Sequence, residues 1–388
     1  MRIILAADIF PPDIGGPATY SKNLATELIK NGHDVQLICY GDKFNQYEDD
    51  GGYKVIKIGR DKPLLLRYFD YFSNLLKVGK KVDLIYSMGP VSAGLPTMLA
   101  AKFLRKKYII KVVGDYAWEQ ARGRFNVEDG IDEFQSKKYL FKIEIFRKIQ
   151  RMVSQNAYKI ITPSYYLKGI VTGWGAKEDN IKVIYNSVNF DFVNIIDKVE
   201  AQEKIRIKGK LVFSIARLVP WKGFEMLINL WREFLEKEPG LKLIIAGSGP
   251  EEENLKSLVK KNNLEDKVFL VGKVEHKELS NYFSASDIFV LNSGYEGLSH
   301  VLIEAMAHKL PIIASDKGGN VEVIKDNVNG LLAEYNNEED WKSSILEIVN
   351  NYELKNKFTE NSLADLDKFK YETMIDNTIN FISDVGRV

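Results

Sequence analysis

Along this chain, short apolar runs bounded by Gly, Asn or Asp alternate with segments whose apolar positions recur at helical spacing. The pattern predicts strands near residues 3–7, 35–39, 55–58, 84–87, 109–113, 159–162 and 182–185, with helices between most of them. A second series restarts after a break, near residues 211–215, 243–246, 268–271, 288–291 and 312–314, with a short strand at 330–333. Such alternation belongs to parallel sheets covered on both faces. The break is rich in charge and lacks strong periodicity, so residues 191–210 read as a linker between a domain of residues 1–190 and one of 211–370. The expected fold class is α/β, with two doubly wound parallel-sheet domains in tandem. Open sheets of this kind bind ligands at the carboxyl ends of their strands, which places the expected site where two such edges face each other across a cleft.

Composition agrees and removes alternatives. A chain of 388 residues is long enough for two domains of roughly 150–200 residues each. Hydrophobic residues at 45% and charged residues at 28% are ordinary for a soluble protein, and a net charge of +1 gives no reason to expect a nucleic-acid partner. The single cysteine, Cys39, sits in the apolar run 35–40 and reads as a buried free thiol, which fits a reducing cytoplasm. The opening apolar run is cut short by Asp8 and then by Pro11-Pro12, so it reads as a first strand and not as a signal peptide. No stretch approaches the roughly 18 apolar residues of a membrane span.

Three loops carry candidate chemistry. Between the first strand and a helix running to about Lys30, Gly15 and Gly16 allow close backbone approach to a ligand, although an ordinary tight turn has the same pattern. Neither this loop nor Gly247-Ser248-Gly249-Pro250 continues as Gly-x-Gly-x-x-Gly, which disfavours a hydride-transfer enzyme. After the strand at 211–215 come Arg217, whose guanidinium can fork onto phosphate oxygens, and Lys222, a point charge; the alternative is a pair of surface cations.

The third loop is the least accidental. Glu296 and Glu304 bracket Gly297, Leu298, Ser299 and His300, with a helix predicted from about Ser299. Glu296 then lies ahead of the helix and Glu304 more than a turn inside it, so they read as two separate hydroxyl anchors and not as a close acid/base pair. The amides between them, at a helix N-terminus, offer a seat for phosphate charge. Cations, free amides and carboxylates together are what a protein handling a nucleotide-sugar needs. The four histidines are scattered without ligand spacing, and Asp365-Leu366-Asp367 looks like solvated surface, so neither metal nor cofactor is expected.

The Pro-Pro-x-x-Gly-Gly loop, Arg217 with Lys222, the Gly-Ser-Gly-Pro turn at Gly247 and above all Glu-x7-Glu resemble the retaining nucleotide-sugar glycosyltransferases of family 4, which have the GT-B fold of two Rossmann-like domains. The resemblance runs over essentially the whole length. Asn186-Ser187-Val188-Asn189 resembles the family's Asn-Gly-Val-Asp, with Ser and Asn replacing Gly and Asp, and Thr162-Pro163-Ser164 resembles its Val/Thr-x-Ser turn. The resemblance implies that Arg217 and Lys222 hold the diphosphate, Glu304 the ribose hydroxyls and Glu296 the donor sugar. Backbone at Leu298, Ser299 and His300 would run along phosphate and sugar. Gly16 would approach from the other domain, and backbone near Val274 would meet the base. Residues 371–388 would pack back on the first domain. One departure stands out: many relatives carry a His after the strand that here ends near Val113, where this chain has Gly114-Asp115. Asp115 is the nearest replacement, as a catalytic carboxylate or as a helix cap. The implied chemistry is front-side displacement with retention, the leaving diphosphate taking the acceptor proton while cations stabilise its charge.

The acceptor is less legible. Residues 137–152 carry six cations against one Glu, interleaved with apolar side chains. They can rest on an anionic bilayer and reach a lipid-linked glycan, or form a core-facing helix with a basic outer face. Arg122 and Arg124 can meet an anionic acceptor or be loop charges. A sugar-nucleotide epimerase and a non-catalytic sugar-nucleotide binder are the rival readings.

Overall fold

The apolar run after Met1 forms β1 (Arg2–Ala7), buried without alternation from Ile3 onward, as in a strand covered on both faces. The computed structural model describes residues 1–387 except Ile14 and Asp50. It divides into one unit of Met1–Ile184 with Ile375–Val388, and a second of Tyr185–Met374.

In the first unit, β1 is joined by β2 (Asp34–Gly41), β3 (Asn45–Glu48), β4 (Lys54–Gly59), β5 (Leu84–Met88), β6 (Lys107–Lys111), β7 (Lys159–Thr162) and β8 (Ile181–Val183). Among the described residues they make an eight-stranded sheet in the order β3-β4-β2-β1-β5-β6-β7-β8. All neighbours pair in parallel except β3, which runs antiparallel to β4. The apolar pattern missed β3 because Asn45, Gln46 and Glu48 are exposed at the sheet edge and form no hydrophobic run. The final helix, Tyr371–Arg387, buries Ile375, Ile379, Ile382 and Val385, a stripe at helical spacing.

The second unit has β9 (Lys210–Ile215), β10 (Leu241–Ala246), β11 (Val268–Gly272), β12 (Ile288–Leu291), β13 (Ile312–Ser315) and β14 (Leu331–Ala333), all parallel, in the order β11-β10-β9-β12-β13-β14. One face is filled by Trp231, Phe234 and Trp341, the other by Phe213, Phe283 and Met306. The chain winds outward from β9 through β10 to β11 and then returns to β12 on the other side of β9. The topological switch point, where such sheets bind ligands, therefore lies between β9 and β12. In the first unit it lies between β1 and β5.

The segment read as a linker is ordered and belongs to the second unit. Asp197 caps the helix Lys198–Ile205, Ala201 is buried, and Gln202 Nε2 donates to the carbonyls of Gly209 (2.8 Å) and Ala285 (3.1 Å). Eight residues with two buried positions are too short to display a helical period in sequence.

Candidate active site

Four loops at the carboxyl edge of the second sheet are laced together in pairs, backbone to backbone. Beyond β9, the amide of Ala216 donates to Ala246 O and that of Leu218 to Ser248 O, so the Arg217 turn lies flat on Gly247-Ser248-Gly249. A Cβ on Gly247 would come 1.9 Å from Ala216 O, and Gly247 has φ +133°, so only glycine permits this contact. Beyond β12 and β13 the same device recurs. The amide of Gly319 donates to Glu296 O at 2.7 Å, and a Cβ on Gly318 would sit 2.4 Å from that oxygen.

Over the switch point, the Lys222 ammonium donates to Glu296 Oε1, joining the turn after β9 to the turn after β12. Ser293 Oγ donates to the same carboxylate oxygen at 3.0 Å. Ser293 is itself held by Ser315, whose hydroxyl donates to Ser293 O. Asn292 is fully buried and stitches the neighbouring turns: its Nδ2 donates to Gly223 O (3.1 Å) and to Asn336 Oδ1 (2.8 Å), while its Oδ1 accepts from the Asn336 amide (3.2 Å). Lys222 and Glu296 are therefore fixed by rigid turns and largely shielded from water, which strengthens their interaction over that of a surface pair.

Behind Glu296, Gly297 and Leu298 lead into the helix His300–Ala307, with Ser299 at its N-cap position. The first amides of a helix have no partner within it. Ser299 Oγ is buried and has no hydrogen-bond partner among the described residues, so a polar valence is left open at the helix start. Glu304 lies a turn further in, where its Oε1 is 3.3 Å from His276 Nε2. That hydrogen bond raises the imidazole above its ordinary pKa. His276 opens the helix His276–Ala285, two residues beyond the half-buried Val274. The structure thus gathers Arg217, Lys222, Gly247, Val274, Glu296–His300 and Glu304 at one edge of one sheet, with the Arg217 and His300 side chains exposed there. Glu296 and Glu304 engage different partners.

In the first unit, Gly15 precedes the helix Gly16–Lys30, and a Cβ on Gly16 would meet nothing within 4 Å. The loop is braced by Arg60 on Asp13 (2.6 Å) and by Lys57 Nζ on Pro11 O (3.0 Å). Asp115 is fully buried. It caps the helix Tyr116–Phe125 through the Trp118 amide (3.0 Å) and accepts from Gln150 Nε2 (2.9 Å) and Gln135 Nε2 (2.8 Å). Both carboxylate oxygens are occupied inside the protein, so of the two readings of Asp115 the cap is the one its geometry matches, and the catalytic one lacks a free oxygen.

Sequence reasoning missed the positioning residues Asn292, Ser293 and Ser315 and the pairing of Glu304 with His276. The Gly318-Gly319 pair just past a predicted strand is the one sequence signal that could have pointed to the loop after β13. Two ionisable groups near the carboxyl edge of the first sheet were also invisible. Asp8, beyond β1, accepts from the Ala93 amide at 2.7 Å, and burial lifts it to about 7. Lys111, at the end of β6, lies 3.8 Å from the centre of the Tyr20 ring, and burial drops it to about 7.

Comparison with known proteins agrees with this architecture. The fold is that of solved GT-B glycosyltransferases. Sucrose-phosphate synthase from Thermosynechococcus elongatus superposes with a TM-score of 0.79 at 19% identity, covering 99% of this chain and 98% of that one. Anabaena HepE, solved in complex with UDP and glucose, superposes with a TM-score of 0.78 at 17% identity, covering 99% and 100%. Residues 14–192 match the model of Glycosyltransferase Family 4, and residues 196–364 that of Glycosyl transferases group 1. The chain belongs to the family 4 glycosyltransferases. Its relatives include an uncharacterised glycosyltransferase of Methanocaldococcus jannaschii, 26% identical over 98% of this chain and 97% of that protein. Another is the alpha-monoglucosyldiacylglycerol synthase of Streptococcus pneumoniae, 27% identical over 100% of this chain and 89% of that protein.

Proposed function

We propose that this glycosyltransferase moves a hexose, with retention and without a metal, from a UDP- or GDP-sugar to a hydroxyl of a sugar or lipid-linked glycan, in glycolipid or cell-surface polysaccharide synthesis on the cytoplasmic side. The observation that carries the reading is the Lys222–Glu296 pair held over the switch point beside a helix start. A donor diphosphate arriving there would draw the ammonium toward its oxygens and free Glu296 to accept sugar hydroxyls. Arg217, earlier in the same loop, would share the charge that develops as the diphosphate leaves. Glu304 would take the ribose hydroxyls, with the base near Val274 and the Gly297–His300 backbone along phosphate and sugar. The relatives' names, a glucolipid synthase among them, support a lipid-linked acceptor. Residues 137–152 would then lie against the membrane.

The test is a melting-midpoint panel of UDP-, GDP- and ADP-sugars, since a ligand at a hundred times its Kd stabilises by about 2.7 kcal/mol. Turnover with the best donor follows, the anomeric configuration of the product being read by NMR. A raised midpoint with nucleoside diphosphate release and a retained anomer supports the reading. No response to any donor, or an inverted product, overturns it.

A further inference from the structure

The helix Leu64–Gly79 begins with four large apolar side chains turned to solvent, Leu64, Leu65, Leu66 and Phe69, of which Leu65 is 83% exposed and Phe69 63%. So dense a patch on the first two turns of one helix is unusual for a water-facing surface. It does not stand alone. The helix Phe141–Asn156 buries Ile143, Gln150 and Val153 on its inner side but exposes Phe141 (79%) and Ile145, with Leu140 just ahead of it. The helix Gly94–Leu104 packs against both.

Topology brings the two helix starts to one edge. Leu64 follows five residues after the end of β4, so that helix begins at the carboxyl edge of the sheet. The second helix ends three residues before β7, and its 16 residues span about 24 Å, so its start lies back at the same edge. Charge selects the occupant. Lys138, Lys142 and Lys148 are exposed around Phe141 and Ile145 and form no ion pair among the described residues. In a two-fold contact between copies these lysines would face like charge, whereas a bilayer of anionic lipid would accept both the ammonium groups and the apolar side chains.

We infer that the starts of the helices Leu64–Gly79 and Phe141–Asn156 form one docking face for an anionic membrane. Leu65, Phe69 and Phe141 insert into the headgroup boundary, and Lys138 and Lys142 meet lipid phosphates. This deepens the proposed use of a lipid-linked acceptor by adding a second helix to the contact. The vesicle assay contains no sugar donor, so it stands or falls apart from that reading.

The full chain is sedimented with vesicles of phosphatidylcholine containing phosphatidylglycerol and with vesicles of phosphatidylcholine alone. Binding to the anionic vesicles that weakens with salt is the expected result. Leu65→Ser with Phe69→Ser should weaken it at least about tenfold, and Lys138→Glu with Lys142→Glu should abolish the preference for phosphatidylglycerol. These side chains face solvent, so the melting midpoint and its response to a nucleotide-sugar should not change in either variant. No binding to either vesicle, equal binding to both, or binding that survives the Leu65 and Phe69 substitutions overturns the inference. So does an equilibrium sedimentation result in which those substitutions dissolve a dimer and leave vesicle binding intact.

Discussion

Lys222 and Glu296, 74 positions apart in sequence, form an ion pair that ties the turn after β9 to the turn after β12. Lys222→Ala and Glu296→Ala should each lower kcat by about 10²–10³-fold, the loss seen when one preorganised electrostatic contact to a developing charge is removed. The double variant should cost far less than the product of the two. Nucleotide release checks the rates, and a melting curve checks that both variants stay folded.

Asp115 should behave as a cap and not as a catalyst. Asp115→Ala leaves the Trp118 amide and the two glutamine side chains without their acceptor in the interior, a loss of about 2–4 kcal/mol of stability. Among molecules that remain folded, kcat should hold near that of the parent. Chemical denaturation and active-fraction-corrected rates separate the two outcomes.

Gly247→Ala tests the packing of the loops. Its Cβ has no room against Ala216 O, so the Arg217 turn must shift. Stability should fall by more than about 1 kcal/mol, and donor KM should rise while acceptor KM does not. Steady-state kinetics against each substrate distinguish this from a general loss of folded protein.

Asp8 and Lys111 make stability depend on pH in opposite directions. Asp8 is raised from 3.8 to about 7, so the native state keeps a proton the unfolded chain has lost; the stability it gives is complete below 3.8 and lost as pH rises through about 7. Lys111 is lowered from 10.5 to about 7, so between those values only the unfolded chain holds the proton, and stability rises with pH across that window. Denaturant titrations over pH should show Asp8→Asn removing the loss of stability that accompanies a rise in pH from 3.8 to about 7. Lys111→Met should be more stable than the parent by its widest margin at and below pH 7, the margin closing toward 10.5.

Apart from the exposed edge strand β3, the strands were legible because each is an apolar run long enough to be covered on both faces, and Lys222 and Glu296 because charged residues just past such runs mark a ligand edge. Asn292, Ser293 and Ser315 were not, since their work is done against residues distant in sequence and nothing local distinguishes them from ordinary loop polars. Asp8 and Lys111 look like any surface charge until burial is known. Leu64, Leu65, Leu66 and Phe69, by contrast, form an apolar cluster in sequence that lies in solvent. Asp115 was half read: its place before a helix allowed a cap, but the two glutamines that occupy it lie 20 and 35 residues away.

The first unit is assembled from residues 1–184 and from the stretch beginning at Ile375, with the entire second unit lying between them in the chain. During synthesis the eight strands emerge early, yet the helix that buries Ile379 and Ile382 is translated last. The nascent first sheet must therefore wait, with an apolar flank uncovered, until the second has been made. Shortening the chain before Ile375 would leave that flank open for good, so truncated products should be chaperone clients and prone to aggregate.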